Sequence, residues 1–134
     1  MMILLSVRPE YVKNIINGKK KYEFRRKIFR KNVSHVIIYS TRPVKKIIGY
    51  FEVGEIIEDA PKELWKNYKK YSGMKKSDFF SYFNGCNIGY AIKIKNFVEY
   101  DKYKELNFIG NNIRPPQSYA YIDDTILNLY LSNI

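Results

Sequence analysis

The chain has 134 residues, 46% of them hydrophobic and 28% charged, the balance of one folded domain rather than a disordered tail. Its 24 Lys and Arg against 13 Asp and Glu give a net charge of +11, which points to a polyanionic partner and away from acidic solvating functions. One cysteine, Cys86, excludes an internal disulfide, and one histidine leaves too few ligands for a zinc site of the usual kind. No apolar run approaches a membrane span, so the expectation is a cytoplasmic protein with no membrane contact and no cofactor.

Ile3 to Val7 is short and apolar, as a buried strand requires. Pro9 then stands at a helix first turn, with Tyr11, Val12, Ile15 and Ile16 as its apolar stripe and Gly18 as its stop. Tyr22 to Arg25 predicts a short strand in which Glu23 and Arg25 share one face and Tyr22 and Phe24 the other. His35 to Tyr39 and Lys46 to Ile57 read as strands, the second broken by Gly49 and Gly54, the mark of a bulge or of a close approach.

Pro61 opens a second helix that Gly73 closes, with Leu64, Trp65, Tyr68 and Tyr71 inward. Ser77 is the expected N-cap of a third, short helix. Tyr90 to Asn96 alternates as a strand, with Lys93 and Lys95 outward. Gln117 to Ile122 predicts a last strand and Asp123 to Leu131 a closing helix, whose Leu127 to Leu131 face offers a surface for a second copy. The fold class is α+β, a small mixed β-barrel of short strands decorated by three to four helices, in a single domain over residues 1–134.

The charge is segregated. Between Arg8 and Lys31 lie ten basic residues and two acidic ones, whereas Glu52 to Glu63 holds five acids and one lysine. Within the basic segment, Gly18 lets the chain turn from helix to strand at once. The Glu23 and Arg25 side chains then form a preorganised pair. The guanidinium can grip phosphate or a base edge, and the carboxylate can accept a hydrogen bond or move a proton. Lys20 is placed at the mouth of such a cleft as a phosphate contact, or, if desolvated, as a base or nucleophile. A salt bridge on an exposed strand face is the plainer alternative for the pair. Lys19, Lys21, Arg26 and Lys27 extend the basic rim, and Tyr39 and Tyr50 are the aromatics chosen to stack on an unpaired base.

Gly18-x-Lys20-x-x-Glu23-x-Arg25 resembles the GxKxxExR motif of the ASCH domain, a relative of the PUA domain. The resemblance runs from about residue 2 to 122 and includes the Ser-x-x-Pro helix start, Tyr39-Ser40, Gly49-x-Phe51 and Pro116-Gln117-Ser118-Tyr119. It implies a PUA-like barrel with a cleft lined by the motif, and association with RNA or modified nucleosides. Some members are hydrolases, one group deacetylating acetylcytidine and another cleaving RNA. The deacetylating group is thought to use a lysine and a threonine. Lys20 falls on that lysine, but Glu23 stands at the threonine, which counts against the same amidohydrolase mechanism. Ser118 is then the nearest candidate hydroxyl, its plainer role being a strand-start residue bonding its own backbone.

Three functions follow from these residues. One is an RNA- or nucleotide-binding module, whose affinity must fall with salt. The second is a hydrolase of RNA or of a modified nucleoside, with Lys20, Glu23 and Ser118 as catalytic residues. The third is a protein-interaction module docking through Glu52–Glu63 and the helix from Pro61.

Overall fold

A computed structural model describes residues 1–110 and 113–122. The expected closing helix from Asp123, with its Leu127 to Leu131 face, lies outside the described residues.

The described chain forms one mixed sheet. Strands β1 (Met2–Val7), β2 (Tyr22–Arg25), β3 (His35–Ser40), β4 (Lys46–Asp59), β5 (Gly89–Lys104) and β6 (Tyr119–Ile122) lie in the order β2-β5-β4-β3-β1-β6. Only β1 and β3 run parallel. The connection between them carries α1 (Pro9–Ile16) and β2, while α2 (Pro61–Tyr68) and α3 (Lys76–Tyr82) fill the β4–β5 connection. The architecture is an α+β half-barrel, as the sequence leads one to expect.

The two long strands explain the curl. Their pairing shifts register at three places, and extra residues on one strand increase its local twist. Gly49 marks the tightest approach, where a β-carbon would stand 2.0 Å from the Val98 carbonyl oxygen. What the strand glycines keep clear for is therefore the neighbouring strand itself. Strand β5 also runs well past Asn96, to Lys104, because β4 continues to pair with it. Ser77 does not cap α3, which starts at Lys76 with Lys75 in the cap position.

The sheet is covered on both faces. Ile3, Leu5, Val36 and Ile38 pack with Val12 and Ile15 of α1. The alternate residues Met2, Leu4, Ile37 and Tyr39 enter a second cluster with Tyr50, Tyr100 and Ile109. A third cluster joins Phe24 and Ala91 to Leu64, Phe79 and Phe83 of the α2–α3 layer. Near-continuous burial along β1 and β3 is what two-sided coverage requires.

Although β2 and β6 end the strand order at opposite sides, the curl brings their neighbourhoods together. The backbone N–H groups of Arg30 and Lys31 donate to the Tyr121 hydroxyl at 2.9 and 3.4 Å, and the Arg25 guanidinium donates to the Ser118 hydroxyl. Side chains, not a ladder of backbone bonds, close this seam.

Candidate functional site

A cleft of about 460 Å³ opens where this seam meets the carboxyl ends of the parallel strands β1 and β3. Ser6 and Val7 come from the end of β1, Tyr11 from α1, and Thr41 from the turn after β3. Lys20, Glu23, Phe24 and Arg25 come from the motif, and Asp78, Ser81 and Tyr82 from α3.

The motif is held there by its backbone. Gly18 turns at φ +81°, a conformation glycine adopts without strain. The Lys20 N–H donates to the Asn14 carbonyl at 2.8 Å, and Lys20 pairs with Ser72 in a single β-bridge. The next N–H, that of Lys21, donates to the Tyr71 carbonyl at 2.8 Å. Gly73, at φ +61°, presses against the Lys20 stem so closely that a β-carbon there would lie 2.4 Å from that of Lys20.

This packing buries the lysine. Lys20 is 2% exposed and Glu23 8%. The Lys20 ammonium donates to the Ser72 carbonyl at 2.8 Å and stands 3.8 Å from a Glu23 carboxylate oxygen. The rings of Phe24 and Tyr11 lie 5.1 and 5.5 Å from it. Lys20 thus belongs to the cleft floor and not to its mouth, a correction that follows from the Ser72 bridge. Burial draws its pKa below the ordinary lysine value, and Glu23 opposes that shift more weakly.

Arg25 is half-buried, and its Nε is enclosed with no hydrogen-bond partner among the described residues. Ser118, its partner, does not line the cleft but fixes one arm of the guanidinium from outside. The Ser118 carbonyl accepts from the Ser6 N–H at 3.1 Å, and the Ser6 hydroxyl donates to the Pro116 carbonyl at 2.6 Å. Tyr11 has its phenol pKa raised by burial first, then by Asp78 and Glu10, and so stays protonated as a donor.

The remaining predicted residues scatter. Arg26 is exposed, with its guanidinium 4.9 Å from the Tyr82 ring at the cleft edge. Lys21 lies over Tyr71, at 4.6 Å, and Lys27 beside an apolar crevice with Phe29. Lys19 lines a separate groove. Tyr39 and Tyr50 are corrected outright. They are 3% and 8% exposed in the cluster on the other sheet face and cannot stack on a base. Tyr11 and Tyr82 join Phe24 as the cleft's aromatics, brought in by helices and invisible to strand alternation. Among the described residues no group of three or more His, Cys, Asp or Glu can hold a metal ion, and no helix is long and apolar enough to cross a membrane.

Comparison with known proteins agrees with this geometry. An ASCH domain-containing ribonuclease of Zymomonas mobilis subsp. mobilis is 32% identical over 125 residues, covering 89% of this chain and 82% of that protein. The large ribosomal subunit protein uL22 of Ureaplasma parvum is 25% identical over 121 residues, which span only 39% of it. The crystal structure of ASCH from Zymomonas mobilis superposes with a TM-score of 0.88 at 29% identity, over 98% of this chain and 94% of that one. A variant of that protein with a tyrosine changed to phenylalanine gives 0.87 at 28% identity, over 98% and 96%. The ASCH domain itself matches residues 5–117, from the middle of β1 to the residue before Ser118. With the family match over most of the chain and the half-barrel in place, the chain belongs to the ASCH domain family.

Proposed function

We propose that this chain binds single-stranded RNA across the cleft and cleaves it there. The observation that carries the reading is the buried Lys20, its proton loosened by desolvation, on the floor of a cleft whose wall holds an incompletely bonded guanidinium. The ribonuclease relative supports the same reaction class.

RNA can be cut by its own 2′-hydroxyl. The 2′-oxygen bonds to the adjacent phosphorus as the P–O5′ bond breaks, leaving a 2′,3′-cyclic phosphate and a 5′-hydroxyl. The reaction needs a base for the 2′ proton, positive charge at the phosphoryl oxygens and a proton for the leaving oxygen. Once it has given up its own proton, Lys20 takes the 2′ proton, and the ammonium so formed rests against Glu23. The Arg25 guanidinium, which lines the cleft, balances charge on the phosphoryl oxygens, and the protonated Tyr11 phenol gives its proton to the leaving 5′-oxygen. Ser118 acts as a positioning residue for Arg25, and Glu23 as one for Lys20.

A second reading is favoured by the bond from Lys20 to the Ser72 carbonyl, which suits a lysine that only clamps the loop. The protein would then be a reader that holds RNA intact. Denaturing gels of a single-stranded RNA with wild type, Lys20→Ala and Lys20→Arg separate the two. The cleavage reading expects 2′,3′-cyclic ends, no cutting at a 2′-deoxy position, and a loss of about 100- to 10,000-fold in both variants. A wild type that shifts RNA on native gels and leaves it whole establishes the reader instead.

A further inference from the structure

We propose a second phosphate-binding site, in the open groove behind the Lys20 backbone, along which a single-stranded RNA continues out of the cleft. The inference deepens the reading above and rests on it for the nature of the strand.

The groove, about 600 Å³, runs between the turn at Gly18 and the loop from Lys69 to Lys75. Four lysines, Lys19, Lys69, Lys70 and Lys75, line it, and its walls include no Asp or Glu. All four are exposed, and among the described residues none is paired with a carboxylate. Four cations around one concavity, with no carboxylate in its walls, focus positive potential there and attract an anion.

The position of the groove selects the anion. Its partition from the cleft is the Lys20–Ser72 bridge, and Met74 lines both cavities, so the two meet around that side chain. A strand with one phosphate at Arg25 has its next phosphates carried over Met74 into the lysines. Tyr71 stands within the groove, 38% exposed, with the Lys21 and Lys70 ammoniums over its ring at 4.6 and 5.4 Å. It offers an aromatic face to a base where lysines hold the backbone. The substrate is therefore an oligonucleotide several residues long, not a free nucleoside or a dinucleotide.

The test is the binding of a fluorescein-labelled 2′-O-methyl decauridylate, which the proposed chemistry cannot cut, followed by anisotropy across a salt series. Lys69→Gln/Lys70→Gln is compared with wild type and with Lys45→Gln/Lys102→Gln, which removes the same charge from exposed positions elsewhere. Each single-strand phosphate contact contributes about 0.7 to the log–log salt slope, or roughly fivefold in affinity at 0.1 M salt. The groove variant is expected to bind about 25-fold more weakly with a slope smaller by about 1.4, while the control variant stays near wild type. Equal losses in both double variants, no loss in either, or no binding by wild type overturns the groove. Cleavage of an unmodified decamer by the wild type is read separately. Binding through the groove without cutting leaves the groove standing and removes the ribonuclease, and cutting that ignores the groove variant does the reverse.

Discussion

At the scale of single residues, the site depends on how Lys20 is buried. A buried ion pair is a weak source of stability, because desolvation offsets the attraction of its charges, and removing one partner strands the other. Glu23→Leu is expected to destabilise the fold by about 3–5 kcal/mol, whereas Lys20→Met/Glu23→Leu should return it to within about 1–2 kcal/mol of wild type or above, with cleavage abolished. Urea titrations of both proteins check the contrast. The pH dependence follows in sign. The native state holds the Lys20 proton less tightly than the unfolded chain does. Stability therefore rises with pH between the lowered Lys20 value and the ordinary value of 10.5, and Lys20→Met flattens that rise. The glycines beside the motif differ in kind. Gly18 has open space where a side chain would go, so Gly18→Ala bears only the left-handed backbone cost of about 1–2 kcal/mol. Gly73→Ala adds a collision with the Lys20 stem and should cost more, with the larger loss of activity. Equal melting temperatures for the two variants would mean that Gly73 does not seat the lysine.

At the scale of elements, the motif was legible because it is local. Lys20, Glu23 and Arg25 follow one another within six positions after the turn at Gly18, and all three line the cleft. Spacing could not tell that Lys20 is buried, because Ser72 and Gly73 approach it from more than fifty positions away. Nor could it place Tyr11, Asp78 and Tyr82, whose helices converge on the cleft only in the folded chain. Tyr39 and Tyr50 show the converse failure. Alternation tells one strand face from the other, but β3 is buried on both, so the face away from the first core is a second core and not a binding surface. The glycines of β4 sit at the register shifts that the bulge alternative expects and against backbone of the neighbouring strand rather than a clear surface, and they make a prediction of their own. A β-carbon at Gly49 meets backbone, which cannot move aside as a flexible side chain can. Gly49→Ala is expected to cost about 3 kcal/mol or more, as large core disruptions do, and thermal melts read it directly.

At the scale of the whole molecule, the half-barrel leaves a seam between β2 and β6, and the cleft lies at one end of it. A basic composition is legible in sequence, and so is the crowding of positive charge between Arg8 and Lys31. How a six-stranded sheet curls is not, because register shifts between β4 and β5 decide it. The seam is therefore the feature to probe by its bonds. Tyr121 stands on β6, and its hydroxyl accepts both the Arg30 and the Lys31 N–H, tying the basic loop after β2 to the opposite sheet edge. Tyr121→Phe returns both amides to water while leaving the aromatic ring in place. Hydrogen exchange at Arg30 and Lys31 should then quicken, while the amides of Ile37 and Ile38, in the doubly covered strand, keep their protection. A loop released in this way no longer holds the Arg30 and Lys31 charges against the opposite sheet edge, and RNA affinity should fall with little change in melting temperature. If Ile37 and Ile38 lose protection together with the loop, the seam is part of the global folding unit and not a local clasp.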